Sequence, residues 1–167
     1  LAEAYFPDRY PGQTAGIYWT LGFVGAVMLF ASVLLHELGH AVTAKRNDVP
    51  VGGITLFMFG GVSELSDEPP SPGTEAKVTL CGWLISAGLA LVFYGLYRVM
   101  GDGSGPAGMA RALFGYLALV NALLFVFNGL PGFPLDGGRL LRALLWRITG
   151  SLRKATYVAS QIGAGFG

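Results

Sequence analysis

The sequence predicts an all-α polytopic membrane protein, a transmembrane helix bundle with a small membrane-associated β ribbon. Three observations carry that prediction: a shortage of charge, three long uncharged runs, and a glycine-punctuated apolar stretch between the first two runs. Of 167 residues, 53% are hydrophobic and only 13% charged, where a soluble domain carries about a quarter charged residues. Mean hydropathy is +0.55, so the partner this composition implies is the lipid bilayer. The net charge of +1 comes without any basic run interleaved with aromatics, which argues against a nucleic-acid partner. No stretch has the low hydrophobicity of a disordered tail.

A helix needs about 20 apolar residues to cross the hydrocarbon core. Residues 15–35, 78–97 and 112–135 are free of charge and place transmembrane helices at 15–45, 76–98 and 108–128. Pro131 and Pro134 break the third, leaving 128–138 as an irregular loop. Residues 139–148 set leucines against Arg142 and Arg147 and read as an interfacial amphipathic helix. Residues 155–167 begin a further transmembrane helix. The stretch 51–65 is apolar on both faces, with Gly52-Gly53 and Gly60-Gly61 as turns or bulges, so a β ribbon tucked against the membrane domain fits better than a free loop. The polar, proline-rich 66–73 reads as a linker. The whole of 1–167 is expected to be one membrane-embedded core, incomplete at both ends.

Lys45, Arg46 and Lys77 flank the segment between the first two spans, and Arg139, Arg142, Arg147, Arg153 and Lys154 follow the third. Arg9, Arg98 and Arg111 fall on the opposite side. That bias puts the first group in the cytoplasm. The single cysteine, Cys81, lies in an apolar run and reads as a packed, inert thiol.

Both histidines of the chain lie in His36-Glu37-Leu38-Gly39-His40, at the end of the first span. Residues four apart share one helix face, so His36 and His40 point their imidazoles at one metal ion. Glu37, one step round the helix, reaches a water on that metal without binding it, which is the physical content of the H-E-x-x-H pattern. An ionised carboxylate in apolar sequence is costly and by default functional. A hydrolytic zinc site takes three protein ligands and keeps one position open. Asp136 is the candidate for the third, in irregular backbone that is tolerated at membrane depth only where protein or a watery cavity surrounds it. Its other reading is an N-cap for the helix that follows. A membrane metal transporter, or a non-proteolytic metal-binding membrane protein, would use the same ligands. Glu37, at general-base geometry, favours hydrolysis over both.

HELGH at 36–40 and NGLPGFPLDGGR at 128–139 together resemble the site-2 protease family of intramembrane zinc metalloproteases (M50-like), the second run being similar to that family's N-P-x-P-x-x-P-L-D-G-G signature. FGG at 59–61 and EAKVTLCGWLIS at 75–86 match more weakly, the latter where the family has a G-P-x-x-N/S element. Gly129 stands where the family usually has proline, and so does Trp83, after Gly82. The resemblance implies the second to fourth helices of a six-helix core, with 1–11 as the tail of the first. It implies Zn2+ held by His36, His40 and Asp136, with Glu37 as the proton acceptor. By the same resemblance Asn128 donates to the oxyanion, its other reading being a cap on the broken helix. The implied substrate is a transmembrane protein or peptide cut near its cytoplasmic end, in regulated intramembrane proteolysis. The unwound substrate is expected to add as a strand along Phe59, Gly60, Gly61 and Val62. A regulatory domain or partner is expected beyond residue 167.

Overall fold

The computed structural model describes residues 1–57, 60–65, 69–100 and 105–165, strand residues 53–57 and 60–65 by their backbone alone. In chain order these form α1 (Tyr5–Arg9), α2 (Ala15–Lys45), β1 (Val51–Phe57), β2 (Gly60–Leu65), α3 (Pro72–Val99), α4 (Pro106–Asn128), α5 (Asp136–Thr149) and α6 (Leu152–Ala164). Among the described residues, α2, α3 and α4 are long and apolar enough to cross a membrane. The 31 residues of α2 run about 46 Å at 1.5 Å each, well beyond a hydrocarbon core of about 30 Å. Phe23, Leu91 and Val126 stand exposed on these three helices. A helix that is apolar on its outer face suits lipid, where no polar surface is needed.

Four helices begin earlier than the sequence reading placed them, α4 by two residues at Pro106. The second long helix starts at Pro72 rather than 76, inside the stretch read as linker. Ser71 is its N-cap, with the hydroxyl accepting from the Thr74 backbone N–H at 3.1 Å, and proline is well suited to the first helical position because it has no N–H to leave unpaired. Similarly, α5 starts at Asp136 rather than 139, with Leu135 in the cap position and no side-chain cap. Asp136 is therefore the first residue of that helix and not its cap. The segment expected to begin at 155 starts at Leu152, its cap Ser151 accepting from Lys154 N–H.

The ribbon is an antiparallel pair closing at Phe57 and Gly60, with its register shift between Val51 and Gly53. Gly60 and Gly61 are thus ladder residues opposite Phe57 and Leu56 rather than turn positions. Met58, Phe59 and residues 66–68 lie outside the described residues.

The chain divides into two compact units. Leu1–Ser32 with Ala87–Leu123 makes one, and Val33–Ser86 with Leu124–Gly167 the other. The first is built on Phe6, Leu113 and Leu117, with Tyr5, Met28, Phe93 and Tyr116 packed against them. Tyr5 and Phe6 meet edge to face at 5.4 Å. Burial pushes the Tyr5 hydroxyl above its ordinary pKa, against the lowering by nearby Arg9. Asn121 is fully buried and gives its amide to Leu117 O and to Ser32 Oγ, a polar tie between α4 and α2 of the kind that links helices in lipid. In the second unit Ala44, Val49 and Val78, with Val51 beside them, pin the start of β1 to the end of α2 and to α3.

Phe6 is 0% exposed, so Phe6→Ala is expected to lower stability by about 3–5 kcal/mol, measured by unfolding in detergent.

Candidate metal centre

The last third of α2 carries His36 and His40 on one face, one turn apart. Their Nε2 atoms lie 3.1 Å from each other, with the rings at 83°. Asp136, the first residue of α5, brings its Oδ2 to 3.2 Å from His36 Nε2 and 3.3 Å from His40 Nε2. All three side chains are buried, as is Glu37. Among the described residues, these three are the group able to offer one ligand atom each to a single ion.

The two rings are held from behind by α3. His40 Nδ1 lies 2.8 Å from the Val78 carbonyl. A carbonyl only accepts, so Nδ1 carries the hydrogen, and in the neutral ring Nε2 is left with its lone pair facing Asp136. His36 Nδ1 lies 2.9 Å from Ser86 Oγ, a hydroxyl able to accept in the same way. Between these two supports, Gly82 lies directly against the His40 ring, and any Cβ there would collide with it. Only glycine lets α3 come this close.

Asp136 is fixed by a second close approach. A Cβ on Gly137 would strike the carbonyls of Gly129 and Leu130, and one on Gly138 would lie 2.6 Å from the Gly132 carbonyl carbon. The first turn of α5 therefore sits on the backbone of the 129–133 loop, which sets where Asp136 can point. The positive end of a helix also favours an anion in its first turn. Burial alone would push the Asp136 carboxyl up, but the closeness of the His36 and His40 rings outweighs it and lowers it to about 2.

Asp136 Oδ2 is buried and makes no regular hydrogen bond among the described residues, although both Nε2 atoms are within 3.3 Å. With Nδ1 of His40 already protonated, adding protons at both Nε2 positions would bury two imidazolium rings side by side. Three electron-rich atoms this close are far better balanced by one cation. Ligands about 2.0–2.1 Å from a tetrahedral ion stand about 3.3 Å apart, and the three separations of 3.1, 3.2 and 3.3 Å agree. The residues fit zinc.

Asn128 is the last residue of α4, half-buried. Beside it, the two departures from the family pattern lie against each other. The Trp83 indole gives its N–H to the Phe125 carbonyl at 2.7 Å and stacks on the Phe125 ring at 4.5 Å. A Cβ at residue 129 would lie 3.1 Å from that indole, so glycine at 129 makes room for the tryptophan at 83. The indole is a second donor to that carbonyl, which also accepts the Gly129 backbone N–H at 3.1 Å. Of the expected substrate-strand residues, Gly60, Gly61 and Val62 lie on β2, with Val62 opposite Thr55. Phe59 lies outside the described residues.

The sequence reading did not single out Val78, Ser86, Glu75 or Arg142. Ser86 ends the run matching the family's third element, which was a usable signal. Glu75, 0% exposed, accepts from Arg142 Nε at 2.7 Å and from Nη2 through the same oxygen, Oε1. Its signal was a lone carboxylate at the edge of an uncharged run. The Val78 carbonyl leaves no mark in a sequence.

The profile of Peptidase family M50 matches residues 24–106 and 99–167. Rip3 of Mycobacterium tuberculosis is 43% identical over 157 residues, 94% of this chain and 40% of its own length. Zinc metalloprotease MJ0392 of Methanocaldococcus jannaschii is 38% identical over 149 residues, 88% of this chain and 40% of its own. The chain thus spans about two fifths of the length of these relatives. The solved structure of a site-2 protease from Methanocaldococcus jannaschii superposes with a TM-score of 0.60 at 29% identity, covering 96% of this chain and 68% of that one.

Ser86→Ala removes the partner of His36 Nδ1 and is expected to weaken zinc binding by about 10–100-fold, with Ser86→Thr, which keeps the hydroxyl, close to the parent. Chelator competition measures both, and an unchanged affinity in Ser86→Ala would take Ser86 out of the site.

Proposed function

The chain belongs to peptidase family M50, and on that premise we propose that it is the core of an intramembrane zinc metalloprotease, hydrolysing a peptide bond in or near a transmembrane segment of a substrate protein. The observation that carries this reading is the convergence of His36, His40 and Asp136 within 3.3 Å, beside buried Glu37, on a helix apolar enough to cross a membrane. His36, His40 and Asp136 hold the ion, and Zn2+ there supplies the Lewis acidity that makes a water acidic enough to attack near neutral pH.

Glu37 follows His36 by one residue, about 100° round the helix, so its carboxylate reaches past the ligand positions instead of occupying one. It takes the proton of the attacking water and returns it to the leaving amine. Asn128, at the end of α4, gives its amide N–H to the oxyanion that develops on the scissile carbonyl. Transport or storage of a metal needs the three ligands alone and finds no use for Glu37.

The substrate's transmembrane helix hides its peptide bonds in its own hydrogen bonds and has to unwind before attack. The ribbon supports a route for the unwound segment: an extended strand added along Gly60, Gly61 and Val62 of β2 would be held by backbone hydrogen bonds with little sequence preference. His40 is only about two turns from Arg46, and the basic residues around it favour the cytoplasmic side, so cleavage falls near that end of the substrate.

Glu37→Gln is expected to cut turnover of a synthetic transmembrane peptide by about 10²–10⁴-fold while metal analysis finds zinc retained; cleavage at the parent rate would remove Glu37 from the chemistry. Val62→Pro is expected to slow cleavage with normal zinc content, and full-rate cleavage by that variant would argue against the added strand.

A further inference from the structure

We propose that one face of α3 sets all three metal ligands, and that Glu75, through its buried ion pair with Arg142, is the positioning residue for Asp136. This rests on the reading of His36, His40 and Asp136 as a metal site. The buried residues of α3 are Glu75, Val78, Thr79, Gly82 and Ser86, a stripe at intervals of three and four that follows one side of the helix. Three of these positions already act on the histidines: Ser86 holds His36, the Val78 carbonyl holds His40, and Gly82 yields space to the His40 ring. Glu75, one turn before Val78 on the same stripe, reaches across to α5.

Arg142 lies six residues after Asp136, about 9 Å along the same helix. Its guanidinium is bound on one side to Glu75 Oε1 and lies on the other over the Phe133 ring, 5.5 Å from its centre. Phe133 belongs to the loop that leads into Asp136. One cation therefore ties α3, α5 and that loop together. Sliding or rotating α5, and with it Asp136, would break both contacts.

The form of the pair argues for register over stability. Nε and Nη2 of the guanidinium both go to one oxygen, and Oε2 has no hydrogen-bond partner among the described residues, so the two parallel bonds of the strongest arginine–carboxylate pairing are not made. Apolar side chains of similar size would hold the helices together at least as well, but they slide. A directional ion pair does not.

The test is a double-mutant cycle read in zinc affinity, by chelator competition on the purified protein in detergent. Arg142→Ala and Glu75→Ala are each expected to raise the zinc dissociation constant about 10–100-fold, and Arg142→Lys, which keeps a cation able to reach Oε1, to recover part of the loss. With Asp136→Ala already present, Arg142→Ala is expected to change the affinity no further, because the ligand it positions is gone. An equal loss in both backgrounds would mean that Arg142 only supports the fold and would overturn the proposal. So would an unchanged affinity in Arg142→Ala when Asp136→Ala alone weakens binding. If Asp136→Ala alone left zinc affinity intact, the metal reading beneath the proposal would fail instead. Where an alanine variant does not fold, Arg142→Lys and Glu75→Gln enter the same cycle, with a smaller loss expected in the parent and none in the Asp136→Ala background.

Discussion

Three electron-rich atoms, two imidazole nitrogens and one carboxylate oxygen, are held within 3.3 Å of one another in a buried place. Left alone they repel. Much of the surrounding second unit exists to hold them there: two ring nitrogens tied down from behind, glycines where helix meets ring and where helix meets loop, and an ion pair across to the helix that bears the carboxylate. That arrangement is stable when a cation sits among the three atoms, so the fold and the metal chemistry pose the same physical problem. The answer is a buried frame that holds three donor atoms where one divalent ion fits.

The frame is α3, a helix with no ligand of its own. Its polar and small residues, Glu75, Thr79, Gly82 and Ser86, lie on the buried side, while Leu84, Leu91 and Val92 are exposed. In water that order would be inverted. With lipid outside, apolar side chains gain little from burial, and the interior is left to small residues and hydrogen bonds. The pairing of Trp83 with Gly129 obeys the same economy of space. A bulky indole on α3 fills the gap and is a second donor to a carbonyl of α4, and the loop residue facing it is glycine. The contact is packed and hydrogen-bonded at the place where α4 ends.

The sequence by itself determined the membrane helices and the shared face of the two histidines, both set by near neighbours along the chain. Uncharged runs of about 20 residues announce membrane helices because the bilayer has a set thickness. His36 and His40 share a face because a helix repeats every 3.6 residues, and Glu37 is then offset by necessity. Helix starts were less legible: Ser71-Pro72 is a cap and first position that looks like linker, and Asp136 opens a helix inside the stretch read as irregular loop up to 138. Gly137 and Gly138 serve close packing, which has no signature in local propensity. Only the tertiary structure decided what lies behind the ligands. Ser86 is 50 residues from His36, Val78 is 38 from His40, and Arg142 is 67 from Glu75. Contacts across such separations arise from helix packing, and a backbone carbonyl such as that of Val78 belongs to every residue type alike, so no pattern of letters could have pointed to it.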